Sequence, residues 1–206
     1  MLKLAALGAI ACAMVCGCVS ATRYPEQWPS STSGGPDCKA ISGVYSNSGT
    51  SAESDSLFGL SAGSLRPASL SSLFHNTLAN PAVTDPHLSA DRVRIDAGTP
   101  GFLKVAMVYE AREELLIFEE AKGQFSCSAG KLHIRWSKVE AAVRVLGVGG
   151  DGRENTFTRG HDGSLIVEQQ TWAAGLAMVI IPIAASSKQW YRFENATAAP
   201  ADVPSM

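Results

Sequence analysis

The sequence predicts a mainly β domain, an antiparallel β-barrel or β-sandwich of about 8–10 strands with one short helix near the N-terminus of the domain. Three observations carry this. From Arg92 onward apolar residues recur with a period of two, as in Leu103, Val105, Met107 and Tyr109 against Lys104, Ala106 and Val108. The breaks between runs hold turn chemistry: Pro100-Gly101, Ala129-Gly130, Gly149-Gly150-Asp151-Gly152 and His161-Asp162-Gly163. The spacers are short, which joins antiparallel neighbours, because a parallel pair needs a long crossover.

In chain order, Cys38 to Ser46 alternates Ile41, Gly43 and Tyr45 with Ala40, Ser42 and Val44 and reads as the first strand. Ser46 to Arg66 is a Ser- and Gly-rich loop long enough to be functional or disordered. Pro67 opens a helix, PASLSSLFHNTLAN, whose Leu70, Leu73, Phe74 and Leu78 share one face, and Pro81 ends it. Strand-like runs then follow: VRI, LKVAMVY, ELLIFE, GQFSC, KLHIRW, AAVRVLGV, NTFTR, SLIVEQQ, LAMVIIP and QWYRFE. The glutamates around LLIF suit a solubilised edge. Ala173 to Ala185 is the most apolar stretch and is too short, and too broken by Pro182, to span a bilayer. It reads either as a strand buried on both faces or as an apolar surface for a partner or lipid.

The N-terminus gives an address. Met1-Leu2-Lys3 carries one positive charge, and Leu4 to Val15 has neither charge nor proline. This is the pattern of a secretory signal peptide over residues 1–17. As a helix, Leu4 to Gly17 would span roughly 21 Å, short of the ~30 Å hydrocarbon core that a transmembrane anchor must cross. Val15-Cys16-Gly17-Cys18 resembles the lipobox of bacterial lipoproteins, with Cys16 at the tolerant position where Ala or Ser is usual. The resemblance implies cleavage before Cys18, a diacylglyceryl group on its thiol and an acyl chain on its new amine. It makes the membrane a partner through a lipid anchor on Cys18, in the cell envelope. Val19, not Asp, follows the cysteine, which in a two-membrane host implies the outer membrane, facing the periplasm.

Cleavage would leave 206 − 17 = 189 residues, enough for one domain. Residues 18–37, rich in Pro, Ser, Thr and Gly, read as the lipidated cysteine and a flexible tether with a coil reach of about 24 Å. Tyr24 and Trp28 are unusual in such a tether and suit docking on the domain or at the lipid interface. Residues 38–194 form the β-rich domain and 195–206 a disordered tail. Of five cysteines, Cys12 and Cys16 leave with the signal and Cys18 carries lipid, so Cys38 and Cys127 remain in an oxidising compartment and are expected to pair. Two separate buried thiols are the alternative. With 17 basic against 19 acidic residues and no basic stripe, nucleic acid is not an expected partner.

Sequence motifs for catalysis are weak. Gly59 to Gly63, GLSAG, matches the nucleophile elbow around Ser61 but lacks the strand–turn–helix context that makes the serine reactive. Gly147 to Gly152, GVGGDG, matches a dinucleotide fingerprint, yet a strand-like RENTFTRG follows where a helix is needed. Asp151, Glu154, Asp162 and Glu168 show no ligand-loop spacing, and the four histidines no metal spacing, so neither a cofactor nor a metal site is expected. Gly43-Val44-Tyr45 at the first strand and Trp190-Tyr191-Arg192 at the last are loosely similar to lipocalin barrels, with Tyr45 in place of the usual Trp. That resemblance implies a cup for an apolar ligand, lined by Tyr45, Trp136, Trp172 and Trp190. The expected function is a non-catalytic binding or structural role in the envelope beside an unknown envelope protein. A carrier of an apolar ligand is the first alternative and a serine hydrolase the second.

Overall fold

Two antiparallel sheets face each other across a shared core, an arrangement close to a β-sandwich. The computed structural model describes residues 18–32, 35–52, 68–78, 90–140, 149–177 and 181–197. The expected signal peptide at 1–17, Ser61 and the AAVRVLGV run at 141–148 lie outside these residues.

The smaller sheet contains β2 (Gly43–Ser46), β5 (Arg92–Asp96), β6 (Phe102–Val108) and β7 (Glu113–Glu119), in that spatial order. Alternation sets its faces: Val93, Ile95, Leu103, Val105 and Met107 are buried, while Arg92, Arg94, Asp96 and Lys104 are exposed. On the edge strand β7, Leu115 and Ile117 are exposed, and Glu113 ion-pairs with Arg94 of β5.

The larger sheet has eight strands. β3 (Ser48–Ser51), β4 (Ala68–Ser69), β8 (Ser126–Ser128), β9 (Lys131–Glu140), β10 (Gly149–Arg159), β11 (Leu165–Ala177) and β12 (Ile181–Phe193) run in the order β4-β3-β12-β11-β10-β9-β8. β1 (Cys18–Ala21) adds to β12 in parallel. The described strands number twelve, above the expected eight to ten. The surplus comes from β1, β3 and β4, whose Ser, Gly and Ala residues carry no apolar alternation. LAMVIIP is not one strand: Ala177 pairs with Ile181, so the run turns back on itself as a hairpin. GVGGDG leads into β10 and not into a helix, which removes the dinucleotide reading.

Helix α1 (Leu70–Leu78) starts three residues later than Pro67 suggested. The buried Asn47 determines this. Its carbonyl accepts the Leu70 N–H at 2.9 Å, and its side-chain oxygen accepts the Ser71 N–H at 2.8 Å and the Ser69 hydroxyl at 3.2 Å. A side chain distant in sequence thus caps the helix. α1 places Leu70, Leu73 and Phe74 in the core, where Phe74 stacks on Phe157 at 4.7 Å and leans on Phe118 at 6.1 Å. Tyr45, Phe118, Phe157, Phe193, Leu132 and Ile134 are fully buried around it.

The sheets are joined at a corner and by a covalent staple. Glu194, the last residue of the expected domain, and Asn195 and Ala196, the first of the expected tail, pair with β2: Ser46 N–H donates to Glu194 O at 2.9 Å and Ala196 N–H to Val44 O at 2.8 Å. Cys38, just before β2, is disulfide-bonded to Cys127 in β8, with Cα atoms 5.6 Å apart and a separation of 89 positions in sequence.

Two outcomes are expected. Reducing the Cys38–Cys127 bridge, or replacing both cysteines by Ser, lowers the unfolding free energy in urea by roughly 4–5 kcal/mol in the chain-entropy picture; an unchanged midpoint would contradict the staple. Asn47→Ala leaves buried donors without an acceptor and costs about 1–3 kcal/mol by the same assay.

Candidate functional site

The N-terminal segment docks on the β12 edge of the larger sheet. Residues 18–32 do not form a free tether. β1 lies along β12 with Cys18 opposite Ala185 and Ala21 opposite Lys188, and Thr22 N–H continues the ladder to Lys188 O at 3.0 Å. Trp190 Nε1–H donates to Thr22 O at 3.1 Å, Tyr24 meets the Trp190 ring edge-on at 5.1 Å, and Trp28 meets Tyr24 at 6.0 Å. The Tyr24 hydroxyl donates to Pro29 O. Further along, His161 N–H donates to Ser30 O at 3.1 Å, and the Thr32 amide and hydroxyl both donate to Arg159 O, at 2.8 and 3.0 Å. Pro, Ser and Gly content suggested a coil because β-addition uses backbone groups, which composition does not report.

This docking runs from one end of the sheet to the other. Cys18 sits at the end where β11 turns into β12, and Ser31 bridges to Gly160 at the opposite end. At the Ser31 end, Gly163 takes a φ of +83° in the His161-Asp162-Gly163 turn. Asp162 there accepts from Ser164 Oγ at 2.6 Å and from Arg192 Nη2 at 2.8 Å. Burial pushes its carboxyl up, but the Ser164 and Arg192 hydrogen bonds outweigh this and leave it below its ordinary 3.8. Tyr24 is pushed up, by burial first and by the Asp162 charge second, with Arg192 opposing.

The four aromatics expected to line a ligand cup occupy separate environments. Tyr45 is buried in the core and donates to Ile41 O at 2.8 Å. Burial pushes its phenol up, opposed by the charge of Arg159, whose Nη1 donates to Ala40 O at 3.1 Å and Ser42 O at 3.2 Å. The arginine near the first-strand aromatic is therefore Arg159; Arg192, which the lipocalin likeness would place there, pairs with Asp162. Trp190 and Trp172 lie on the outer face, Trp172 folded over its cross-strand partner Gly152, where any side chain would meet the indole. Trp136 follows Leu132 and Ile134 on the inner face.

Of the carboxylates, Glu154 pairs with Arg135, Asp162 with Arg192 and Glu168 with Lys188. Among the described residues no three His, Cys, Asp or Glu groups converge to hold a metal. One grouping was not visible in sequence because it spans three strands. Ser128 Oγ lies 2.9 Å from His133 Nε2, and His133 Nδ1 lies 3.4 Å from Glu154 Oε1 and 3.2 Å from Thr156 Oγ1. The order is that of a serine–histidine–carboxylate relay. Yet Glu154 is held by two Arg135 N–H groups at 3.1 and 2.6 Å, and Ser128 stands exposed on an open sheet. Burial raises the Glu154 carboxyl, while Arg135 and then His133 pull it below its ordinary 4.5. This is the chemistry of a cross-strand ion-pair network.

The described residues of the apolar stretch from Ala173 to Ala185 fall in β11 and β12, which pair as far as Ala177↔Ile181. Its flanking residues Ala173, Ala174, Ala184 and Ala185 are exposed, so at these positions the strand is not buried on both faces. No family model, no curated protein and no solved structure matches this chain.

Glu154 and Asp162 are both more acidic in the fold than in the unfolded chain. Their stabilisation is complete above the unfolded values and is lost as pH falls through the folded ones. Between pH 6 and pH 3 the urea midpoint of the native chain falls further than that of a Glu154→Gln, Asp162→Asn double variant; equal losses would contradict the assignment.

Proposed function

We propose that this protein is a lipid-anchored, non-catalytic domain of the bacterial cell envelope, held by acyl chains on Cys18 and offering its β-sandwich to another envelope component. The observation that carries the reading is Val15-Cys16-Gly17-Cys18, with Cys18 also the first residue of the strand added to β12. The acyl chains would thus enter at a fixed corner of the domain. One acyl chain gives marginal membrane binding and two or three give lasting attachment. The Cys38–Cys127 bridge fits an oxidising compartment such as the periplasm. Val19 after the anchor favours the outer membrane where the host has two.

The carrier alternative has less support. Its proposed lining residues, Tyr45, Trp136, Trp172 and Trp190, lie in a packed core and on two opposite faces of one sheet. Ser61, on which the hydrolase alternative rested, lies outside the described residues.

Growth with labelled palmitate followed by mass spectrometry of the mature N-terminus tests the reading. The expected product begins at Cys18, lacks residues 1–17 and carries a diacylglyceryl thioether. An intact signal segment, or an unmodified Cys18 thiol in protein from its native host, would overturn it.

A further inference from the structure

Past the end of the core, the inner face of the larger sheet changes character level by level. Leu132, Phe157 and Val167 lie side by side and are fully buried. The next level toward the Cys18 end holds Ile134, Asn155, Gln169 and Gln189. The one after it holds Trp136, Arg153, Thr171 and Ser187, the first three half-buried and Ser187 exposed. Hydrogen bonds account for several polar groups here. The Tyr191 hydroxyl donates to Gln169 Oε1 at 3.5 Å, Gln169 Nε2 to Asn155 Oδ1 at 2.9 Å, and Asn155 Nδ2 to Leu73 O at 3.0 Å. That chain occupies the amide acceptors of both Gln169 and Asn155.

What remains at the outer of these levels is donor. The hydroxyls of Thr171 and Ser187 lie 2.7 Å apart, so two O–H groups share one bond and one proton is left to give to a ligand. Among the described residues, the Trp136 indole N–H and the Arg153 guanidinium have no hydrogen-bond or ion-pair partner. No buried side-chain nitrogen or oxygen there lacks a partner, so both donors reach solvent. Other half-buried cations are engaged: Arg159 with Ala40 O and Ser42 O, Lys188 with Glu168, and Arg192 with Asp162. Arg153 acts on its surroundings through charge alone, opposing the burial that pushes the Tyr191 phenol up. Asp151, two residues along β10 on the same face, is exposed and forms no ion pair with it. A guanidinium presents two parallel N–H groups that fit a carboxylate, and one unpaired positive charge matches a monoanion. The neighbouring indole supplies a flat apolar wall with a donor at its edge. We propose that the inner face around Arg153 binds a small organic carboxylate. Arg153 takes the two carboxylate oxygens, the Thr171–Ser187 hydroxyl pair adds a third hydrogen bond, and Trp136 covers the body of the ligand. This inference does not rest on the lipid anchor at Cys18.

The test adds benzoate to the full chain in detergent micelles, with benzamide as its neutral counterpart and inorganic phosphate as a second anion. The readout is the indole proton–nitrogen cross-peak of Trp136, assigned by its loss in Trp136→Phe. The expected result is a saturable shift with benzoate, binding at least about tenfold weaker with benzamide, and no shift of Trp172 on the opposite face. Arg153→Gln is expected to weaken benzoate binding at least about tenfold, and Thr171→Val by a few-fold. Thermal unfolding checks that each variant is folded. Should Arg153→Gln fail to fold, Arg153→Lys is read in its place: it keeps the charge, loses the fork and is expected to bind benzoate more weakly than the native chain. A Trp136 peak that benzoate does not move overturns the proposal. So do equal affinities for benzoate and benzamide, a folded Arg153 variant that binds benzoate as the native chain does, and phosphate binding more tightly than benzoate.

Discussion

The ladder that joins Cys18–Ala21 to Ala185–Lys188 fixes how the rest of this molecule can be placed. It consists of backbone hydrogen bonds on an edge that β12 would otherwise leave open beside β3, and it is reinforced by the Trp190–Thr22 bond and the Tyr24 ring. Edge backbone groups seek partners whatever the side chains are, and a segment of Val, Ser and Ala can satisfy them. A coil at this position would let the domain wander some 24 Å from its anchor. On the proposed lipoprotein reading, a docked strand would hold the anchor residue at one corner and give the whole sandwich an orientation.

That orientation gives the distribution of polarity along the larger sheet a direction. Toward its Cys18 end β11 and β12 enter the charge-free run from Ala173 to Ala185. Its middle packs Phe157, Val167 and Leu132 against α1 and the smaller sheet. On the inner face the core ends at Asn155, which donates to Leu73 O at 3.0 Å and accepts from Gln169 at 2.9 Å. The far end carries the His161-Asp162-Gly163 turn and its ion pair with Arg192. The Cys38–Cys127 bridge joins the lead into β2 to edge strand β8, so the two sheets resist separation away from the corner that Asn195 closes.

Much of the fold was legible in the sequence because half-buried strands declare themselves. Val93 and Ile95, then Leu103, Val105 and Met107, alternate as a pleated face requires, and the pairing of Cys38 with Cys127 followed from counting. What was not legible rests on partners distant in sequence. The helix starts at Leu70 because Asn47 caps it, which no local pattern records. The docking of residues 18–32 relies on main-chain bonds and on Trp190, 168 residues from Thr22. LAMVIIP hid a hairpin because uniform hydrophobicity masks a turn. The Ser128–His133–Glu154 grouping escaped notice because strand pairing, not spacing, assembles it. The proposed lipobox rests on the linear stretch Val15-Cys16-Gly17-Cys18 alone.

The docked N-terminal strand is the claim on which the proposed orientation and anchoring corner depend. Amide hydrogen exchange of residues 19–22 in the mature protein tests it most directly. Backbone protection within reach of that of Lys188 and Trp190 is the result this account requires. Exchange at the rate of an unstructured peptide would leave the anchor on a free leash and contradict it.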